Sequence, residues 1–105
     1  MRKIETEMNS AIANDSNWSK ANTMVAQCSD ESKVYLHGNH IATIGEGFIQ
    51  MFDGGWQSNT TKSRLNAILS ENGLPNERVY QSNFKWYVQM QDGDSIPFFN
   101  GMRLN

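Results

Sequence analysis

Between Lys33 and Leu74, short alternating segments are broken by glycine turns and then give way to one helical stretch, and that order leaves few folds open. Lys33 to His37 and His40 to Ile44 flank Gly38-Asn39, a two-residue hairpin signal, and Gly45-Glu46-Gly47 turns the chain into Phe48 to Phe52. Side chains alternate between the two faces of a strand, so a tight turn fixes which of them meet. Counting outward from Gly38-Asn39 sets Leu36 opposite Ile41 and Val34 opposite Thr43, with Ile49 and Met51 beside them on the core face. Tyr35, His37, His40, Ala42 and Phe52 fall on the other face. After Asp53-Gly54-Gly55-Trp56, the run from Thr60 to Leu69 reads as a helix. Asn59 or Thr60 caps its free amides, Leu65, Ile68 and Leu69 form its apolar stripe, Gly73 suits the position past its end, and Pro75 blocks continuation.

The flanks extend this pattern. Ile4, Met8, Ala11 and Ile12 recur at helical spacing and predict an amphipathic helix over residues 2–13, with Glu5 and Glu7 where the dipole favours anions. Asn14-Asp15-Ser16-Asn17 ends it, and Trp18 plugs it onto the sheet. Thr23 to Cys28 is the first strand. Beyond the second helix, Arg78 to Gln81 and Phe84 to Met90 flank Ser82-Asn83 as a second hairpin, whose core face carries Val79, Phe84, Trp86, Val88 and Met90. Ile96 to Phe99 closes the set, and Pro97 marks it as an edge strand because proline donates no ladder hydrogen bond. The reading is a single α+β domain over residues 1–105: helix, antiparallel strand meander, helix, hairpin plus edge strand, with the helices packed on one sheet face.

Composition acts mainly by exclusion. Nine Lys and Arg against eleven Asp and Glu give a net charge of −2, so no global basic field invites nucleic acid or an anionic membrane. Cys28 is the only cysteine, which removes an intrachain disulfide and any multi-cysteine metal site. No apolar run approaches the roughly 20 residues of a membrane helix, and no apolar core follows Arg2-Lys3 to make a signal peptide. The expected location is the cytoplasm, without membrane contact.

Candidate sites are few. His37 and His40, read as a pair across the first turn, could share a metal ion with Asp53, but two imidazoles without further ligands do not make a metal site. No metal or cofactor is expected. Lys62 and Arg64 stand in the first turn of the second helix beside Thr60, Thr61 and Ser63, an arrangement suited to phosphate but without the glycine-rich lead of a nucleotide loop. On the second hairpin, Arg78, Tyr80, Lys85 and Tyr87 share the outer face. Such interleaving suits single-stranded nucleic acid, with rings for bases and cations for phosphates, and equally serves cross-strand stability. Cys28 and His37 are conceivable neighbours without an orienting acid, and Asp53, Asp92 and Asp94 lie beside turn glycines, so no catalytic set is expected.

Some of these residues also point to relatives. Asn17-Trp18-Ser19 with Asn22-Thr23, Tyr35-Leu36-His37-Gly38-Asn39 with Ile41-Ala42, Gly55-Trp56, Thr60 to Asn66, and the closing Pro97-Phe98-Phe99-Asn100-Gly101-Met102 resemble a family of small proteins encoded by tailed bacteriophages, marine ones included. The resemblance spans nearly the whole chain. It implies a phage product made in the cytoplasm of an infected bacterium and directed at the host, and it carries over no activity, ligand or catalytic residue. The combined expectation is a small non-enzymatic phage protein that binds a protein, either a host or phage factor or a second copy through the apolar edge segment Ile96 to Met102. The alternative is a nucleic-acid accessory protein using Arg78, Tyr80, Lys85, Tyr87, Lys62 and Arg64.

Overall fold

A computed structural model describes residues 1–104. Helix α1 (Lys3–Ala13) leads into β1 (Trp18–Lys20), β2 (Thr23–Cys28), β3 (Glu31–Leu36), β4 (Asn39–Gly45) and β5 (Phe48–Met51). Helix α2 (Asn59–Asn72) precedes β6 (Arg78–Ser82), β7 (Lys85–Gln89), β8 (Ser95–Pro97) and β9 (Met102–Leu104). The fold is α+β with antiparallel pairing throughout, as expected. The strands divide into two sheets rather than one: β1-β2-β3-β4-β5-β9, and β6-β7-β8. Strands β1 and β9 escape the sequence pattern because three residues carry too little alternation to register. They are defined by their pairing, Trp18 with Val25 and Met102 with Met51.

Helix α1 packs against β1, β2 and α2, while α2 packs against β4, β5 and also β6, so α2 joins the small sheet to the large one. The buried cluster takes Val25, Val34, Leu36, Met51 and Leu104 from the large sheet, Met8 and Ile12 from α1, Leu65, Ile68 and Leu69 from α2, and Val79, Trp86 and Val88 from the small sheet. Each such side chain contributes about 1.5–3 kcal/mol on leaving water. Trp18 packs on this cluster half-buried, in the role expected of it.

Both hairpins turn one residue away from the expected place. The first turns at His37-Gly38, with φ of 52° and 78°, and the second at Asn83-Phe84, with φ of 51° and 65°. Two consecutive left-handed residues match the right-handed strand twist, which is what a two-residue hairpin demands. Moving a turn by one residue moves cross-strand partners by two, so side chains keep their faces. Thus Leu36 pairs with Asn39 rather than Ile41, and Tyr35 with His40. Val34 then pairs with Ala42 rather than Thr43, because the register shifts and leaves Ile41 as an extra residue on β4. From there alternation reverses: Ala42 faces the core and Thr43 pairs with Lys33 on the other face. In the second hairpin Val79 meets Val88, and Phe84 moves from the expected core face to the turn tip, 93% exposed.

The helices differ from expectation in two details. The buried stripe of α1 is Glu5, Met8, Asn9, Ala11 and Ile12, with Ile4 only half-buried. The cap of α2 is Ser58, not Asn59 or Thr60; its Oγ accepts the Thr61 N–H at 3.1 Å. Gly73 does follow the helix, in extended rather than left-handed conformation. It is needed for space, since a Cβ there would lie 2.7 Å from Leu69 O and 2.8 Å from Glu77 Oε1.

Candidate interaction surface

Arg64 does not belong to any surface. It is 3% exposed, and its Nη1 donates to Glu5 Oε2 at 2.7 Å while Nε donates to Thr23 Oγ1 at 3.1 Å. Ser63 Oγ also donates to Glu5 Oε2, at 2.6 Å, and the Arg2 N–H donates to Oε1 at 3.1 Å. Burial alone would raise the Glu5 carboxyl, but the hydrogen bonds from Ser63, Arg64 and Arg2 and the Arg64 charge outweigh it and hold the group below its ordinary value. The expected phosphate cradle therefore loses its arginine to a buried ion pair between α1 and α2. Lys62 remains half-buried at the start of α2, and its ammonium has no bonding partner among the described residues.

The histidines do not form a pair. His37 occupies the turn, and its N–H donates to Asn22 O at 2.8 Å. His40 lies on the sheet face opposite the helices, between Tyr35 (5.5 Å between ring centroids) and Phe52 (4.6 Å). Its Nε2 is 2.9 Å from Ala42 O and 2.8 Å from Thr43 Oγ1, so this nitrogen is already engaged by protein groups. Burial, with the nearby Lys33 charge, lowers the imidazole against the raising effect of the Ala42 bond. Among the described residues, no three of His, Cys, Asp and Glu gather in metal-binding geometry. Cys28 is exposed at the far end of β2 from the strand pair, Thr23 with Leu36, that precedes His37, roughly 17 Å away along the strand. They cannot act together.

The outer hairpin face is assembled as expected. Arg78, Tyr80, Lys85 and Tyr87 share one side of β6 and β7, with Tyr80 directly opposite Tyr87. The two tyrosine rings stack at 5.7 Å, and the Arg78 guanidinium sits 5.0 Å over Tyr80. This leaves the rings engaged with one another rather than free for a base, and only Lys85 of the four stands clear as a cation.

A second feature, missed in the sequence, lies at the tip of this hairpin. Phe84, Lys85, Trp86, Tyr87, Pro97 and Phe98, with Gln57 across from them, line a cleft of about 300 Å³. Trp86 and Phe98 meet edge to face at 5.3 Å, and the Phe98 N–H donates to Trp86 O at 3.0 Å, which anchors the segment after β8. The Asp53 N–H donates to Asn100 Oδ1 at 2.7 Å, so the 53–57 loop is fastened to the same segment. The result is that Trp56 (76% exposed), Phe84 (93%) and Phe99 (58%) all project from the segments that frame one cleft. Phe84 is an outlier twice over, a bulky residue at positive φ and an aromatic ring left in water. The available signal was the turn itself: a two-residue hairpin one position further on puts Phe84 at its tip.

Compared with known proteins, the chain matches a family model described as Kyanoviridae Gp96 protein over residues 1–105. No curated protein and no solved structure matches it.

Proposed function

The chain belongs to the Kyanoviridae Gp96 protein family, a family of phage proteins, and from that premise we propose that it is a non-enzymatic protein that works by binding another protein through the Trp56–Phe84–Phe99 end. The observation that carries this reading is Phe84. Holding a bulky residue in left-handed conformation costs on the order of 1–2 kcal/mol, and leaving its ring in water forgoes the gain of burial. A partner that covers the ring returns the burial term, while the backbone cost is borne in the free and the bound protein alike. Aromatic anchors at the centre of a polar rim are the usual currency of protein interfaces, and here Gln57 and Lys85 supply the rim. The partner is a host or phage protein offering an apolar pocket, met in the cytoplasm of the infected cell. No helix of the described residues is long and apolar enough to cross a membrane.

A second copy is a weaker candidate. Strand β8 is an exposed edge, and Ile96, paired with the core residue Val88, is left 38% exposed there, which supports a side-chain contact, but three residues with a proline among them are a poor template for strand addition. Nucleic acid is disfavoured by the mutual stacking of Tyr80 and Tyr87 and by the burial of Arg64. Capture from infected-cell lysate, with nuclease treatment, separates these readings. Wild-type protein is expected to retain a specific protein band that survives nuclease and is lost with Phe84→Gly. Bands that vanish with nuclease, weaken steeply with salt and depend on Lys85 would replace the reading with nucleic-acid binding.

A further inference from the structure

At the opposite end of α2, the β4–β5 hairpin tip and β9 close around the helix terminus to form a cleft of about 260 Å³. Its walls are apolar, built by Ile44, Phe48, Ile49, Leu74 and Leu104. Among the described residues that line it, one is a carboxylate, Glu77, only 9% exposed. Glu77 Oε1 accepts the Leu74 N–H at 2.7 Å, which fixes the side chain. Oε2 takes no hydrogen bond or ion pair from the described residues, yet it is not sealed off from solvent. Arg103, the cation that lines the shallower adjoining cleft with Glu77, lies 3.7 Å over the Phe48 ring and makes no ion pair with it.

The helix adds to the same sign of field. Asn72 and Gly73 bring the C-terminal end of α2 to the cleft, the negative pole of the helix dipole, and its last turn contains no basic residue to offset it. An apolar slot ending in an available carboxylate oxygen and a helix C-terminus calls for a cation on an aliphatic stem. The volume falls below the 300–1,000 Å³ typical of drug-sized ligands, so a nucleotide or other large molecule does not fit. We propose that this cleft binds a primary alkylammonium group, its short stem packed as a lysine stem packs on apolar surface and its –NH₃⁺ donating to Glu77 Oε2. The group comes either from a free amine or from a lysine of a partner protein.

Amide NMR of the full chain tests this with n-butylammonium, n-butanol and Nα-acetyl-lysine methylamide. Butylammonium is expected to shift the Gly45, Gly47, Gly73 and Leu74 amides saturably, with butanol at least about tenfold weaker for want of the charge-assisted bond. Glu77→Gln retains an oxygen for the Leu74 N–H and should reduce butylammonium to the level of butanol, with the rest of the amide spectrum unchanged. Capped lysine binding as well as butylammonium assigns the site to a partner's lysine, and much weaker binding assigns it to a free amine. Absence of saturable shifts, equal affinity for alcohol and ammonium, or wild-type binding by Glu77→Gln would overturn the proposal.

Discussion

Glu5 and Arg64 show how little one residue's local surroundings reveal about its role. In sequence, Arg64 stands two residues after Lys62 in a hydroxyl-rich first turn, where a solvated or phosphate-binding cation is the natural reading; its partner is 59 positions away. Only the packing of α1 on α2 brings the two together, and the burial of Glu5 and Asn9 on the α1 stripe belongs to the same contact. A buried pair is costly to break because the remaining charge is stranded, so Arg64→Met should destabilise the fold by about 3–5 kcal/mol in urea unfolding. The double variant Glu5→Gln, Arg64→Met should recover much of that loss. The lowered Glu5 carboxyl also sets an acid limit. Its contribution is complete above the ordinary value of 4.5 and is lost as pH falls through the lower folded value, because there the unfolded chain takes up the proton first. Unfolding free energy measured against pH should therefore fall below about 4.5 in the wild type, and less steeply in Glu5→Gln.

At the scale of elements, the sequence was legible wherever periodicity ran long enough. Both helices, the meander from β2 to β5 and the β6–β7 hairpin form within a residue or two of where periodicity and turn signals put them, with the α2 cap and both hairpin turns displaced, and the Arg78–Tyr80–Lys85–Tyr87 face survives because a one-residue error in a turn preserves side-chain parity. What failed was local. The extra residue at Ile41 reverses alternation within β4, and nothing in the composition of that strand announces it. Strands β1 and β9 exist only through their neighbours. Counting from a turn at Ser82-Asn83 puts Phe84 on the core face with Trp86, whereas the actual turn at Asn83-Phe84 claims it. Glycine adopts that conformation freely at some entropic cost, so Phe84→Gly should leave stability unchanged or raise it by up to about 1 kcal/mol in thermal unfolding, while removing the interaction. A clear loss of stability would mean that the ring supports the hairpin.

For the whole molecule, the division of labour follows from α2. One of its faces closes the large sheet and another carries the small one, and the two clefts lie toward its two ends: the aromatic end framed by Gln57 and Phe98, and the smaller cleft at Asn72 and Gly73. Function was the least legible level, since net charge, a single cysteine and the histidine spacing could exclude chemistries without selecting a partner. The exposed aromatic end depends on a contact between residues 47 positions apart, the Asn100 bond that fastens the 53–57 loop to the segment after β8, and no local pattern encodes it. The central claim, that this end seats a protein, is met most directly by placing a photoreactive benzoylphenylalanine at position 84 and irradiating infected cells, with the same group at Glu71 on the exposed side of α2 as control. The account predicts a discrete protein adduct from position 84, resistant to nuclease and absent from position 71. No adduct, an adduct common to both positions, or one that nuclease removes would contradict it.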